Sequence, residues 1–143
     1  QKLEQVADRS ILKIYSFDKD NPLDFSWLVK AVLNDLQNGV PRSEIASAFH
    51  RTYAAMWCVE LAKQAVRQKL SRVVLCGGVF QNKLLVDILM PMLRQLGLQP
   101  YLPASVPCND AGIAVGQMAV TAAWIEQSMN HNDKRHARVV VGL

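Results

Sequence analysis

Disulfide and metal chemistry have little to work with in this sequence. Its three cysteines, Cys58, Cys76 and Cys108, are odd in number and too widely spaced for a CxxC pair, which argues against a disulfide framework or a cysteine zinc site. His131 and His136 stand five apart in a polar stretch, a spacing that does not place two side chains on one helix face. There is no His-x-x-x-His, no Ser-His-Asp order and no paired-carboxylate constellation. No run of about 18 apolar residues is present, nor a basic-then-apolar leader, so no membrane role is expected and a reducing cytoplasm is the natural setting. Aromatic residues make up 7%, and the 16 basic residues against 12 acidic ones form no stripe. Nucleic acid is therefore not an expected partner, whereas a small anionic ligand suits the charge of +4.

What is there is a chain of 143 residues, half of them apolar, enough for one core and too few for two ordinary domains. It begins at Gln1, which reads as a piece of a longer polypeptide. Residues 11–17 are rich in branched and aromatic types and suggest an edge strand. After a turn over 18–22, Phe25, Leu28, Val29, Val32, Leu33 and Leu36 recur at helical spacing up to Gly39. Pro41 and Ser43 open a second helix of nearly thirty residues, a scaffold element on which His50 reads as partly buried and hydrogen-bonded, with ligand contact the lesser alternative. Residues 72–76 read as a buried strand, followed by Gly77-Gly78 and a helix from Asn82 that Pro91 should kink or break near Met90. A short strand over 99–102, a loop with two prolines and a last helix from Ala111 to about Gln127 follow. That last helix is apolar almost all round, which predicts burial between other elements. A polar tail, 129–143, closes the chain. The alternation in the second half predicts an α/β fold with a central sheet and packed helices.

Two segments stand where chemistry is done. In Cys76-Gly77-Gly78-Val79-Phe80-Gln81-Asn82, the glycines between a strand and a helix start allow close backbone approach to an anion, and the helix N-terminus favours phosphate. It is neither a dinucleotide fingerprint nor a P-loop, and a plain glycine turn with Asn82 as N-cap explains the same residues. In Pro107-Cys108-Asn109-Asp110-Ala111-Gly112, continuing to Gly116-Gln117, Asp110 is either a helix cap or one ligand of a cation whose other ligands come from elsewhere. Gly112 and Gly116 each cost about 1 kcal/mol relative to alanine inside a helix, which calls for a compensating close approach on their shared face.

Taken together, Gly-Gly-Val-Phe-Gln-Asn at 77–82 and Pro-Cys-Asn-Asp-Ala-Gly-Ile-Ala-Val-Gly-Gln at 107–117 resemble the closing motifs of HypF-type carbamoyltransferases, and Ile45 to His50 resembles the helix that precedes them. The resemblance covers about residues 24–127. It implies the C-terminal lobe of an actin-like ATPase fold over residues 1–128. It further implies a reaction in which ATP and carbamoyl phosphate yield carbamoyl-adenylate, whose carbamoyl passes to the C-terminal cysteine of a HypE acceptor and becomes a cyanide ligand of NiFe-hydrogenase. On the same basis Gly77, Gly78 and Asn82 would contact the nucleotide and Asp110 would bind a divalent metal, Mg or Fe. Cys76 and Ala111 depart from the expected Ser or Gly and from the expected Gly. The family's two metal-binding histidines, its acylphosphatase-like, zinc-finger-like and YrdC-like parts, and with them any zinc, have no counterpart here, so the chain needs the rest of the enzyme as partner. Other readings are a non-catalytic interaction module, an O-carbamoyltransferase, and a tRNA threonylcarbamoyladenosine synthase-like paralogue. The last is disfavoured by Phe80-Gln81, where that group carries two alanines.

Overall fold

A computed structural model describes residues 2–132, with side-chain environments through residue 128. The elements are α1 (Lys2–Val6), α2 (Ser26–Gln37), α3 (Arg42–Gln68), β1 (Arg72–Val74), α4 (Lys83–Gln95), β2 (Gln99–Tyr101) and α5 (Ile113–Asn132), with 3-10 turns at Gly78–Gln81 and Asp110–Gly112. The architecture is mostly helical. Among the described residues the expected central sheet is a parallel pair, β1 with β2, in which Val73 faces Pro100.

The scaffold is α3, 27 residues long, entered at Pro41 and left through Lys69 in the left-handed conformation. It is buried on two sides. Ala54 and Cys58 join Leu75 and the α4 residues Leu85, Leu89 and Leu93 in one cluster; Ala48 and Met56 join Tyr15 and Leu28 in another. Burial also pushes the Cys58 thiol up to about 11, so it packs as a small hydrophobe. Pro91 does not break α4: it lies on the exposed side, while the helix is held through Leu84, Leu85, Leu89 and Leu93 opposite.

Three sequence expectations change. Residues 11–17 form no strand; side chains of α3 take their backbone groups instead. The Tyr15 amide donates to Thr52 Oγ1 at 2.9 Å, and Arg51 Nε donates to the Ile11 carbonyl at 2.7 Å. The 72–76 run is only half buried: Leu75 is 3% exposed but Val74 is 67% exposed, because among the described residues β1 has a strand neighbour on one side only. Finally, α5 is not sandwiched. Its side chains from Ile113 to Ser128 are all exposed, Met118 and Trp124 included, since the described part of the chain offers no surface to cover them. The helix continues through residue 132; the rest of the expected tail lies outside the described residues.

A polar network ties the N-terminal segment to α2 and α3. Lys13 Nζ bridges Asp35 and Glu44, each at 3.0 Å, and Tyr15 Oη donates to Asp35 at 2.7 Å. Hydrogen bonds to Asp35 and then Glu44 raise Lys13 to about 12, and burial followed by the Asp35 bond raises Tyr15 to about 12, so both stay protonated through the physiological range. The bonds from Tyr15 and Lys13 lower the Asp35 pKa. A carboxylate so lowered stabilises the fold above its ordinary value and loses that contribution as pH falls through its folded value. Asp35→Asn should therefore melt below the wild type at neutral pH, with the gap closing on acidification below the ordinary carboxylate range. Thr52→Val, which orphans the buried Tyr15 amide, should lower the unfolding free energy by about 1–3 kcal/mol in chemical denaturation.

Candidate functional site

Parallel pairing decides where the site forms. Two parallel strands end at the same edge, so the loops after β1 and β2 leave the sheet on the same side, the usual position of ligands in such sheets. The ladder runs from the Gln99 amide on the Ser71 carbonyl to the Leu75 amide on the Tyr101 carbonyl, and beyond the strands the Gly77 amide donates to the Cys108 carbonyl. The two motif segments, thirty-odd residues apart in sequence, are thus bonded to one another, two residues from Asp110.

Within the first segment Gly77 sits at φ +115°, ψ 157°, a conformation essentially reserved for glycine. It turns the chain into the 3-10 turn Gly78–Gln81, closed by Phe80 N on the Gly77 carbonyl and Asn82 N on the Val79 carbonyl. The Gly77 amide is engaged by Cys108, while those of Gly78 and Val79 have no acceptor among the described residues. They are the free donors an anion would meet.

Asn82 is the N-cap of α4. Its Oδ1 accepts from Leu85 N at 2.9 Å, and its Nδ2 lies 2.8 Å from His50 Nε2. The side chain is thus occupied within the fold. The Leu84 amide donates to the Glu4 carboxylate at 3.0 Å, so an acidic group from α1 already meets the positive end of α4. Glu4 and the His50–Asn82 bond escaped sequence reasoning. A contact spanning 80 residues leaves no local signal; His50 left a faint one, a polar ring on an otherwise apolar helix face.

In the second segment the cap is Asn109, not Asp110: Asn109 Oδ1 accepts from Ala111 N at 3.1 Å. Asp110 is exposed, and its carboxylate has no hydrogen-bond or ion-pair partner among the described residues. It is free to take a cation but stands alone, since no three His, Cys, Asp or Glu side chains among the described residues gather to hold a metal. The two glycines of this segment separate. A Cβ on Gly112 would collide with the Pro107 carbonyl oxygen and sit 3.1 Å from Val106 Cγ1, whereas one on Gly116 would meet open space. A cavity of about 270 Å³ beside the first segment, walled by Trp57, Leu61, Val73, Val79, Phe80 and Leu89, is apolar and gives phosphate no partner.

Residues 1–117 match the family model described as Carbamoyltransferase, Kae1-like Domain, second subdomain. The chain is 38% identical over 114 residues to carbamoyltransferase HypF of Rhizobium leguminosarum bv. viciae, covering 79% of this chain and 14% of that protein. It is 34% identical over 122 residues to a carbamoyltransferase HypF homolog of Cupriavidus necator, covering 84% and 31%. A crystal structure of full-length HypF in the phosphate- and nucleotide-bound form superposes with a TM-score of 0.77 at 27% identity, over 87% of this chain and 17% of that one. The chain therefore spans well under half the length of these relatives.

The glycine geometry is directly testable. Gly77→Ala should destabilise by about 1–3 kcal/mol for its disallowed conformation. Gly112→Ala should also destabilise and disturb the Cys108 and Asn109 amide signals. Gly116→Ala, in an open helix interior, should instead stabilise by about 1 kcal/mol in denaturant titrations.

Proposed function

Because the chain belongs to the HypF carbamoyltransferase family, as the second subdomain of its Kae1-like domain, we propose that residues 1–128 are the nucleotide-binding lobe of an ATP-dependent carbamoyltransferase of the actin-like ATPase superfold. The observation that carries this reading is the convergence of the two motif segments at the carboxyl edge of the parallel pair, joined through Gly77 and Cys108. A HypF structure bound to phosphate and nucleotide supports the ligand class.

In the reaction so assigned, water hydrolyses carbamoyl phosphate to phosphate and carbamate, and a carbamate oxygen attacks the α-phosphorus of ATP. Pyrophosphate leaves and carbamoyl-adenylate forms; attack by the C-terminal thiol of a HypE-type acceptor then releases AMP. The carbamoylated cysteine is the precursor of a cyanide ligand in NiFe-hydrogenase maturation, a cytoplasmic process. The free amides of Gly78 and Val79 receive phosphate oxygens, Gly77 supplies the conformation that exposes them, and Asn82 fixes the end of the turn. Asp110 would hold one position of a divalent cation, Mg or Fe, which would supply charge neutralisation on the triphosphate.

A single carboxylate is not a metal site, so the remaining ligands and the carbamate-handling chemistry come from the rest of the enzyme. The exposed apolar side chains of α5, Ile113, Met118, Trp124 and Ile125 among them, support such a partner, because a surface of this kind is normally covered. The same surface favours a second reading, a non-catalytic lobe that assembles with a partner. Neither the tRNA-modifying nor the O-carbamoyl paralogues gain specific support from the geometry.

Calorimetry on the isolated chain with ATP and Mg²⁺ should show weak binding, with Kd on the order of 1 mM, tightening when the rest of the enzyme is supplied. Tight binding with carbamoyl-adenylate production by the chain alone would contradict the need for a partner. In the complete enzyme Asp110→Ala should lower carbamoylation by about 10²-fold or more, the scale set by loss of a charge-stabilising group. Undiminished activity would remove its metal role.

A further inference from the structure

His50 is 3% exposed near the middle of the first half of α3. Its Nδ1 lies 2.7 Å from the Ala46 carbonyl oxygen, which can only accept, so Nδ1 carries the proton. A neutral ring then presents the Nε2 lone pair to Asn82 Nδ2 at 2.8 Å. The orientation of the Asn82 carboxamide is fixed independently, because its Oδ1 accepts from the Leu85 amide at 2.9 Å. Turning the carboxamide over would set its oxygen against the Nε2 lone pair and its NH₂ against the Leu85 N–H. A surface N-cap faces no such penalty, because water accepts either end.

From these bonds we propose that His50 is a positioning residue: as the Nδ1–H tautomer it locks the Asn82 carboxamide and, through it, holds the Gly78–Gln81 turn ready for its ligand. The functional half of this inference rests on the nucleotide reading above. Asn82 can transmit the lock because its main chain belongs to both neighbours. Its N–H closes the turn on the Val79 carbonyl, and its carbonyl accepts from Val86 in the first turn of α4. The reference point is stiff, since α3 is packed on both sides. A loop already held in its bound conformation loses less entropy when a ligand arrives.

Two variants separate positioning from mere filling of space. In His50→Gln the side-chain oxygen reaches the place of Nε2 and can accept from Asn82. In His50→Asn the shorter amide keeps the Ala46 bond and leaves Asn82 without its acceptor. In the 143-residue chain, amide exchange at Leu85 reports the cap, and titration with ATP and Mg²⁺ followed at the Gly78 and Val79 amides reports the ligand. His50→Asn should speed Leu85 exchange and weaken ATP binding, each on the order of tenfold, while His50→Gln stays within about twofold, the scale known for outer-shell partners that orient ligating groups. Unchanged Leu85 exchange in His50→Asn overturns the lock, and faster exchange with unchanged ATP affinity overturns the positioning role. Imidazole nitrogen shifts of the wild type decide the tautomer without any variant, and an Nε2–H ring overturns the proposal. If the wild type shows no response to saturating ATP, the nucleotide reading fails by itself, and Leu85 exchange still judges the lock.

Discussion

Everything at the site depends on β1 and β2 running the same way. Had they been antiparallel, the Gly77 and Asp110 segments would leave opposite ends of the pair, and no ligand could meet both. Parallel pairing brings both exits to one edge, and the bond from Gly77 to Cys108 extends the ladder past the strands into the loops. Gly77, in its positive-φ conformation, is the point where strand geometry stops and the donors of the next turn face outward.

The pair is only three residues deep, so its rigidity is borrowed from the helices. On one side α4 and Leu75 close a leucine-rich cluster against α3. On the other side of α3 the extended segment around Tyr15 is held by Thr52 and Arg51 and by the Lys13–Asp35 network, which does the work of a strand neighbour without being one. Glu4 reaches from α1 to the first turn of α4, and His50 reaches the same turn from α3. Two helices, α1 and α3, thus converge on the start of α4 behind the candidate ligand loop, an arrangement in which the loop carries the free donors and its supports are hydrogen-bonded within the fold.

Much of this was legible from residue pattern. The periodicity of α2, α3 and α4, the Asn82 cap, the glycine turn and the order of the two strands are local properties, encoded within a few residues of where they act. What was not legible depends on surfaces. The side chains of α5 are apolar almost all round, a pattern that predicts burial, yet among the described residues they are exposed, because composition states a preference and not whether a partner surface is at hand. The half-open state of Val74 has the same origin. At the site, pattern could propose Asp110 as a cap, but Asn109 is one residue better placed, leaving the aspartate free. The motif resemblance found the family, and the family model and relatives bear it out; which donors in the motif remain free emerged only from the hydrogen bonds.

The two margins of the small sheet are unlike. On β2 the outward position is Pro100, which has no N–H to offer and so ends the ladder there. On β1 the outward peptide groups flank Arg72 and Val74 and lack a strand neighbour among the described residues. Such a margin is a template for any extended chain, including another copy of the same molecule, and only its shortness and the charge of Arg72 discourage stacking into fibrous aggregates. High concentration is therefore a hazard to this lobe, and a strand added along β1 would remove it.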